Sequence, residues 1–297
     1  MSKKINSANR VSELVLAFKC PLCDSKMRVV DLKSLVCMNN HTFDFAKQGY
    51  VNLVPHQPNS QYSKELFEAR HNIIIESQLY SMMHDTISKL IKSHLDVSNV
   101  SNTPFVIVDL GCGEGSHLQK ILDGSEDNTL IGIGLDIAKE GIIQAAKRYE
   151  NPIWLVGDLA KSPLADQSCH VILNILSPSN YKEFKRIIVK DGLVVKVVPR
   201  SNYLIQLREA LFDNEEKKVY KNDKTVELFK QHFNLIEHFN LCYTKKLNKE
   251  ELGNLVKMTP LAWSSDTEHI NQFINMESAD ITVDLDILVG VNNGTDK

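Results

Sequence analysis

The sequence predicts an α/β protein whose body is a doubly wound, mostly parallel sheet, preceded by a small metal-binding unit. Two observations lead to this prediction. Over the last two thirds of the chain, continuous apolar runs alternate with helical stretches, which is typical of parallel strands buried on both faces. Near the N-terminus, three of the 6 cysteines lie within residues 20–37, and no disulfide-rich secreted pattern surrounds them.

The composition suits a folded protein with one large core or two unequal ones. The chain has 297 residues, of which 43% are hydrophobic and 24% are charged. These values exclude collagen-like, coiled-coil and wholly disordered chains. No apolar run approaches the ~18 residues of a membrane-spanning helix, and no signal-peptide core follows the basic N-terminus. We therefore expect a cytoplasmic protein without membrane contact.

The charge is unevenly distributed along the chain. The net charge is −3, but residues 1–70 carry an excess of four positive charges and the remainder an excess of seven negative charges. A basic head on an acidic body suggests an anionic partner for the head. An excess of this size also arises by chance, so the pattern alone does not decide between the two interpretations.

The N-terminal third divides at a proline-containing segment. Residues 1–19 are interpreted as a polar arm with a short apolar end, and residues 20–54 alternate apolar runs with polar turns, as small β-hairpins do. Residues 55–61 hold two prolines among polar side chains, which indicates a linker. Residues 63–95 predict helix, with Ser63 as the N-cap. The predicted domains are 1–58, a helical linker region 59–103, and the α/β body 104–297.

The clustered cysteines predict a zinc site. Cys20 and Cys23 are separated by two residues, Cys37 follows after thirteen more, and His41 after a further three. Three thiolates and one imidazole suit tetrahedral Zn²⁺ in a closed structural site. A redox pair is the alternative for Cys20 and Cys23, but no βαβ unit surrounds them. The first domain is therefore predicted to be a zinc ribbon.

Strands and helices alternate in the body of the chain. Buried strands are predicted at 105–108, 130–135, 153–156, 171–173 and 193–198. The intervening helices are predicted at 116–123, 138–149, 180–190 and 201–212. Residues 281–289 alternate apolar and polar side chains instead, which predicts an antiparallel strand with one more polar face.

The first predicted strand of the body runs into a glycine-rich loop. Gly111, Gly113 and Gly115 follow Asp109 at alternate positions, so the backbone can turn sharply and a ligand can lie against it. A dinucleotide would need a different glycine spacing to hold its pyrophosphate. An acidic side chain ahead of the glycines suits an ammonium group, which favours S-adenosylmethionine (SAM) over NAD.

Two acidic residues follow the next two strands. Asp136 ends the second strand, where an acidic side chain can bind a ribose diol. Asp158 follows the third strand and is predicted to accept a hydrogen bond from the adenine amino group. The glycine loop and both carboxylates, in this order, are far more specific than any one of them.

Several segments resemble RlmA-type large-subunit rRNA (guanine-N1)-methyltransferases. The resembling segments are 43–53, which directly follows the zinc ligands, 68–70, 109–115 and 258–263. Segments 174–181 and 196–199 are similar to the Gram-positive branch, which includes enzymes linked to macrolide resistance. The resemblance implies a class I SAM-dependent methyltransferase domain behind a zinc-ribbon RNA-recognition domain. It also implies SAM and Zn²⁺ as cofactors, and methyl transfer to N1 of a guanine in a 23S rRNA hairpin loop.

The resemblance further implies which residues contact SAM. Matched by position, these are Tyr80, Gly113, Glu114, Asp136 and Tyr203. Gln78-Leu79 replaces the Gly-His often found before the tyrosine that matches Tyr80. A homodimer is left open.

Guanine N1 carries a proton and lies on the Watson–Crick edge, so the base must be unstacked to react. Asn174, at the end of the fourth strand, is predicted to hydrogen-bond guanine O6 or N1; the alternative is a strand-end residue that satisfies a turn. Tyr181 is predicted to stack on the extruded base, with capping of the following helix as the alternative. The sequence identifies no general base.

The positive charges of the N-terminal domain suggest how RNA would be bound. Five cations of the ribbon are predicted to contact RNA phosphates, while the linker at 55–61 lets the ribbon close over the active site. These cations are Lys19, Lys26, Arg28, Lys33 and Lys47. A small-molecule methyltransferase with an accessory ribbon is the alternative. A ribbon-based RNA binder with an inactive body is disfavoured by the intact glycine loop.

Overall fold

The computed structural model describes residues 2–55, 62–97, 104–125, 129–213 and 220–293. The predicted linker at 55–61 lies almost wholly outside the described residues. Among the helices that are described, none is long and apolar enough to cross a membrane.

The chain begins with a helix, α1 (Lys3–Glu13), where a polar arm was expected. The side chain of Ser2 caps it by accepting from the Ile5 amide at 3.4 Å. Ala8, Val11 and Leu14 recur every third residue and are buried together. The polar residues between them cover only the solvent-exposed side of this helix.

Three short strands follow as an antiparallel sheet: β1 (Met27–Val30), β2 (Ser34–Cys37) and β3 (Thr42–Asp44). Asp31 and Leu32 join β1 to β2 with φ angles of 53° and 51°, the left-handed values that a type I′ hairpin turn needs. These are the hairpins that the sequence predicts.

The next strand, β4 (Tyr50–Asn52), belongs to a different sheet. It pairs in parallel with β7 (Ile153–Val156), with Tyr50 opposite Trp154. The sequence groups residues 20–54 as hairpins of one small unit, whereas the last of these strands joins the large sheet. Tyr50, Val51 and Leu53 are all buried, and a small ribbon cannot cover both faces of such a strand.

Within the described residues, the large sheet has eight strands. From edge to edge they are β10 (Asn234–Asn248), β11 (Ser278–Val291), β9 (Ile188–Pro199), β8 (Cys169–Ile175), β5 (Phe105–Leu110), β6 (Leu130–Asp136), β7 and β4. The six strands from β9 to β4 are parallel, whereas β11 runs antiparallel to β9 and to β10. The doubly wound, mostly parallel sheet and its antiparallel late strand are confirmed. The sequence did not predict β10, a half-exposed edge strand rich in polar residues.

Both faces of this sheet are covered, as the apolar runs require. Alternate residues of β5 supply the two cores: Ile107 packs on one face, and Val106 and Val108 on the other. The first face carries α3 (Ser81–Val97), α4 (Ser116–Ser125), α5 (Lys139–Arg148), α7 (Ile205–Leu211), α9 (Lys249–Met258) and α10 (Thr267–Ile274). The second carries α1, the three-stranded sheet, α6 (Tyr181–Ile187) and α8 (Asp223–His232).

The helix predicted over 63–95 is interrupted. Ser63 caps α2 (Lys64–His71), as expected, and a wider helical turn over Asn72–Glu76 follows it. Gln78 then takes a left-handed conformation with φ 49° before α3 begins. The interruption leaves Tyr80 almost fully buried at the start of α3, beside the cavity described below.

Candidate active site and metal centre

Cys20, Cys23, Cys37 and His41 converge in the small sheet, with ligand atoms all within 4.8 Å of one another. Cys23 Sγ and Cys37 Sγ are 3.7 Å apart, and His41 Nδ1 lies 3.5 Å from Cys20 Sγ and 3.4 Å from Cys37 Sγ. A tetrahedron with Zn–S bonds of ~2.3 Å and a Zn–N bond of ~2.0 Å has edges of about 3.5–3.8 Å. The four predicted ligands therefore fit one Zn²⁺.

The zinc ribbon is attached to the body through main-chain contacts. The Lys19 amide donates to the carbonyl of Pro163 at 2.9 Å, and the Ala165 amide donates to the carbonyl of Ala17 at 2.8 Å. Four of the five predicted RNA-binding cations are exposed: Lys26, Arg28, Lys33 and Lys47. The fifth, Lys19, is partly buried and pairs with Asp24 at 3.1 Å.

The glycine-rich loop directly follows β5. Gly111 and Gly113 have φ angles of 83° and 59°, which side chains rarely adopt. A Cβ on Gly111 would lie 2.7 Å from Ser177 Cβ, and one on Gly113 would clash with the Arg70 guanidinium. Gly115 also has a left-handed φ, of 80°, and a Cβ there would overlap the Trp154 ring.

Two carboxylates next to this loop are buried and do not line the cavity described below. Asp109 and Glu114 are buried, and each keeps one carboxylate oxygen without a hydrogen-bond partner among the described residues. Burial raises the pKa of Asp109 to about 7. The other oxygen of Glu114 forms an ion pair with Arg70, which also donates to the Cys112 carbonyl at 3.3 Å.

Asp136 and Asp158 lie at the ends of β6 and β7, as predicted. Asp136 accepts hydrogen bonds from the Gly113 amide at 2.7 Å and from the Ala138 amide at 2.8 Å. Its carboxylate therefore fixes the glycine loop, and burial raises its pKa. Asp158 is exposed and accepts from the Ala160 amide at 2.8 Å.

These elements enclose a cavity of about 780 Å³ at the carboxyl ends of the parallel strands, where open α/β sheets bind ligands. Six of the nine predicted cofactor residues line it: Tyr80, Gly111, Gly113, Asp136, Asp158 and Tyr203. Tyr80 and Tyr203 share a hydrogen bond of 2.7 Å between their hydroxyls. The other three, Asp109, Glu114 and Gly115, are not in the cavity wall.

Asn174, near the C-terminal end of β8, is fully buried and its amide is occupied by protein groups. Its Nδ2 donates to the carbonyls of Leu110 and Pro178, both at 2.9 Å. Its Oδ1 accepts from Ser179 Oγ at 3.0 Å and from Lys196 Nζ at 2.5 Å. Asn174 does not line the cavity, so this geometry corresponds to the alternative in which it satisfies a strand-end turn.

Tyr181 does line the cavity, but the residue is only 6% exposed. It packs edge-on against Phe184, Phe229 and Phe233 and lies 5.0 Å from the His232 ring. Little of the ring is left for stacking on a base. The capping role considered as the alternative belongs to Asn180, whose side chain accepts from the Glu183 amide at 3.2 Å.

Comparison with known proteins identifies the family. Residues 18–61 match the zinc-ribbon N-terminal domain of RlmA, and residues 108–195 match a methyltransferase domain. Over 276 residues the chain is 42% identical to the putative 23S rRNA (guanine-N(1)-)-methyltransferase YxjB of Bacillus subtilis, covering 92% of this chain and 96% of that protein. The chain belongs to the 23S rRNA (guanine-N1)-methyltransferase family.

More distant relatives carry similar names. The 23S rRNA (guanine(748)-N(1))-methyltransferase of Streptomyces fradiae is 28% identical over 258 residues, covering 86% of this chain and 89% of that protein. A putative 23S rRNA (guanine-N(1)-)-methyltransferase of Micromonospora griseorubida is 26% identical over 283 residues, covering 91% of this chain and 95% of that protein.

The cavity of this methyltransferase fits SAM. The glycine loop presents main chain without side chains, and the buried, unpaired oxygen of Asp109 behind it suits a site for a positively charged ligand. SAM supplies an electrophilic methyl group on a sulfonium. Asp136, Asp158, Tyr80 and Tyr203 line this cavity, where they would contact the bound cofactor.

Sequence reasoning gave no role to two charged residues of the cavity wall, Arg70 and Lys196. Arg70 lies within a segment that supports the resemblance, yet only the fold brings it to Glu114. Lys196 lies in a continuous apolar strand, which is a detectable signal because a charge in such a strand is rare.

Proposed function

We propose that this SAM-dependent methyltransferase transfers a methyl group to N1 of a guanine in a hairpin loop of 23S rRNA. The main support is the attachment of the ribbon beside the cavity. One short turn after β7 lines the cavity at Asp158 and Leu159 and contacts the ribbon at Pro163 and Leu164. A cationic ribbon at the rim suits a substrate whose phosphates extend well beyond the reacting base.

The charges at this junction support the same substrate class. Lys161, exposed on the turn between cavity and ribbon, is close enough to Asp24 to lower the pKa of that carboxyl, although Lys19 contributes more. Together with Lys26, Arg28 and Lys33, it would continue a positive surface from the ribbon to the cavity. In this proposal the ribbon needs no hinge, since main-chain bonds already hold it at the rim.

The small-molecule alternative has less support. A small substrate would need neither an exposed cationic domain nor its rigid attachment beside the cavity. We also propose a cytoplasmic location, where ribosomal RNA is found. A homodimer and an effect on macrolide sensitivity remain hypotheses, to be checked by sedimentation and by growth of a deletion strain on macrolides.

The experiment compares ribosomal RNA from wild-type and deletion strains. A methyl on N1 blocks the Watson–Crick edge, so reverse transcriptase should stop at one 23S position in the wild type and read through in the deletion strain. Complementation with the wild-type gene should restore the stop. Unchanged 23S stops in the deletion strain, together with loss of methylation of a metabolite, would establish the small-molecule alternative.

A further inference from the structure

Lys196 is a buried charge in the centre of the sheet. Lys196 is only 3% exposed, yet it forms part of the cavity wall. It forms no ion pair with any carboxylate among the described residues, whereas the other cation of the wall, Arg70, pairs with Glu114. A buried, uncompensated ammonium is costly, and this cost favours the neutral amine.

Lys196 Nζ makes two hydrogen bonds to protein acceptors. Nζ donates to Asn174 Oδ1 and to the Ser177 carbonyl, both at 2.5 Å. A neutral amine has two N–H groups and one lone pair. The two acceptors use both N–H groups, so the lone pair of the neutral amine has no hydrogen-bond partner among the described residues.

This position is next to the cofactor loop. Ser177 Oγ donates to the Leu110 carbonyl at 2.8 Å, and Ser177 Cβ lies against Gly111. The preceding residue, Leu176, has a left-handed φ of 51°, a strained conformation that the surrounding hydrogen bonds hold in place. Ser177 thus contacts both Lys196 Nζ and the loop that would hold SAM.

We propose that Lys196 is the general base that removes the N1 proton of the target guanine, with Asn174 as its positioning residue. This inference rests on the proposed function. In the step, N1 forms a bond to the methyl carbon while the carbon–sulfur bond breaks and its electron pair stays on sulfur. The N1 proton passes to Lys196 Nζ and from there to solvent.

Titration of Lys196 is compatible with this role. Burial lowers its pKa to about 8, so roughly a tenth of the amine is neutral at pH 7 and more at higher pH. Other titratable groups on elements packed around it, or across the cavity, are Tyr181, His232, Asp286, Asp136, Asp158 and Arg70. Burial is the only cause that contributes to the shift of Lys196.

The test compares Lys196→Met with Lys190→Met, an exposed lysine of the same strand. On 23S rRNA, Lys196→Met should lower the single-turnover rate by ~10²–10⁴-fold, the usual contribution of a general base. Lys190→Met should keep the wild-type rate. SAM affinity and zinc content should be unchanged in both variants, which shows that they are folded. A wild-type protein that never methylates 23S rRNA would instead refute the proposed function.

The pH profile separates a base from a structural lysine. The wild-type rate should rise with pH through an apparent pKa near 8 and then level off, because only the neutral amine accepts a proton. Lys196→Met should lose this rise, and ethylamine should partly restore the rate of Lys196→Ala. If Lys196→Arg, which keeps a cationic donor but no base, retains the wild-type rate, Lys196 only holds the loop and the proposal fails. Failure of ethylamine to rescue, with the pH rise kept in Lys196→Met, would also overturn it.

Discussion

The metal centre and the cavity are built over very different stretches of chain. The four metal ligands lie between Cys20 and His41, in two tight turns joined by one hairpin. The residues of the cavity wall extend from Tyr62 to Pro260 and come from strands that are not neighbours in sequence. Ligand spacing along a short segment therefore suffices to predict the metal centre, whereas the cavity depends on strand order.

The two regions also differ in how their polar groups are satisfied. The metal ligands would be satisfied by one ion, so removal of a single ligand affects all four. Around the cavity, the polar side chains of Asp136 and of the buried Asn174 have separate protein partners. Substitutions should accordingly have a global effect in the ribbon and separable effects in the cavity.

The largest effect is expected from Cys37→Ser. Structural zinc contributes on the order of 10–16 kcal/mol to the folding of small zinc units, and three remaining ligands hold the ion poorly. We expect elemental analysis to find little zinc in the variant, and limited proteolysis to cleave residues 20–54. Cys242→Ser, at an exposed cysteine outside the cluster, is the matched control. Equal zinc content in both variants would contradict the four-ligand site.

Gly113→Val should abolish SAM binding. The φ of 59° disfavours any side chain, and the new Cβ would meet an arginine that Glu114 holds in place. Titration calorimetry measures the loss. Gly253→Val is the control, since a Cβ there meets no atom within 4 Å. Wild-type SAM affinity in Gly113→Val would show that the loop does not contact the cofactor.

Tyr181→Ala should destabilise the fold by about 3–5 kcal/mol, the usual cost of deleting a buried aromatic ring. This expectation follows from its packing against three phenylalanines, which the sequence could not reveal. Tyr181→Phe keeps the ring and should keep most of the stability. Chemical denaturation compares the two. A Tyr181→Ala protein as stable as the wild type, but inactive on RNA, would restore the predicted stacking role.

Asp136→Ala should weaken SAM binding by roughly 1.5–3 kcal/mol, or about 10–100-fold in affinity, the usual range for hydrogen bonds to a charged group. Part of this loss would come from the released Gly113 amide rather than from the ribose. Asp136→Asn, which keeps an oxygen acceptor for that amide, should lose less. If both variants bind SAM as the wild type does, the carboxylate is not part of the cofactor site.

The smallest effect is expected from the ribbon cations. Replacement of Lys26, Arg28 and Lys33 together by Gln should lower RNA affinity and reduce the dependence of binding on salt, while SAM affinity stays constant. A control triple of exposed lysines on the body is Lys89, Lys246 and Lys249. Filter binding over a range of salt concentrations measures both slopes. Equal slopes for the two triples would place the RNA elsewhere.

Much of the fold could be predicted because its signals are local. Buried parallel strands appear as continuous apolar runs, so five strands of the large sheet were located to within a few residues. Two strands of the large sheet were not predicted, for different reasons. β10 is an edge strand with mostly exposed side chains, and β4 is so short that it was assigned to the ribbon next to it.

By itself, the sequence determined the four metal ligands, the glycine loop and the order of the two acidic residues after it. Spacing decides these features, because one hairpin or one strand–turn–helix unit brings the groups together. Only the tertiary structure decided that Asn174 is occupied by main-chain carbonyls and by Lys196, and that aromatic rings enclose Tyr181. The contacts of Asn174 with Leu110 and with Lys196 join residues 64 and 22 positions apart on neighbouring strands. Packing of the whole sheet, rather than any local pattern, determines which side chain reaches the cavity.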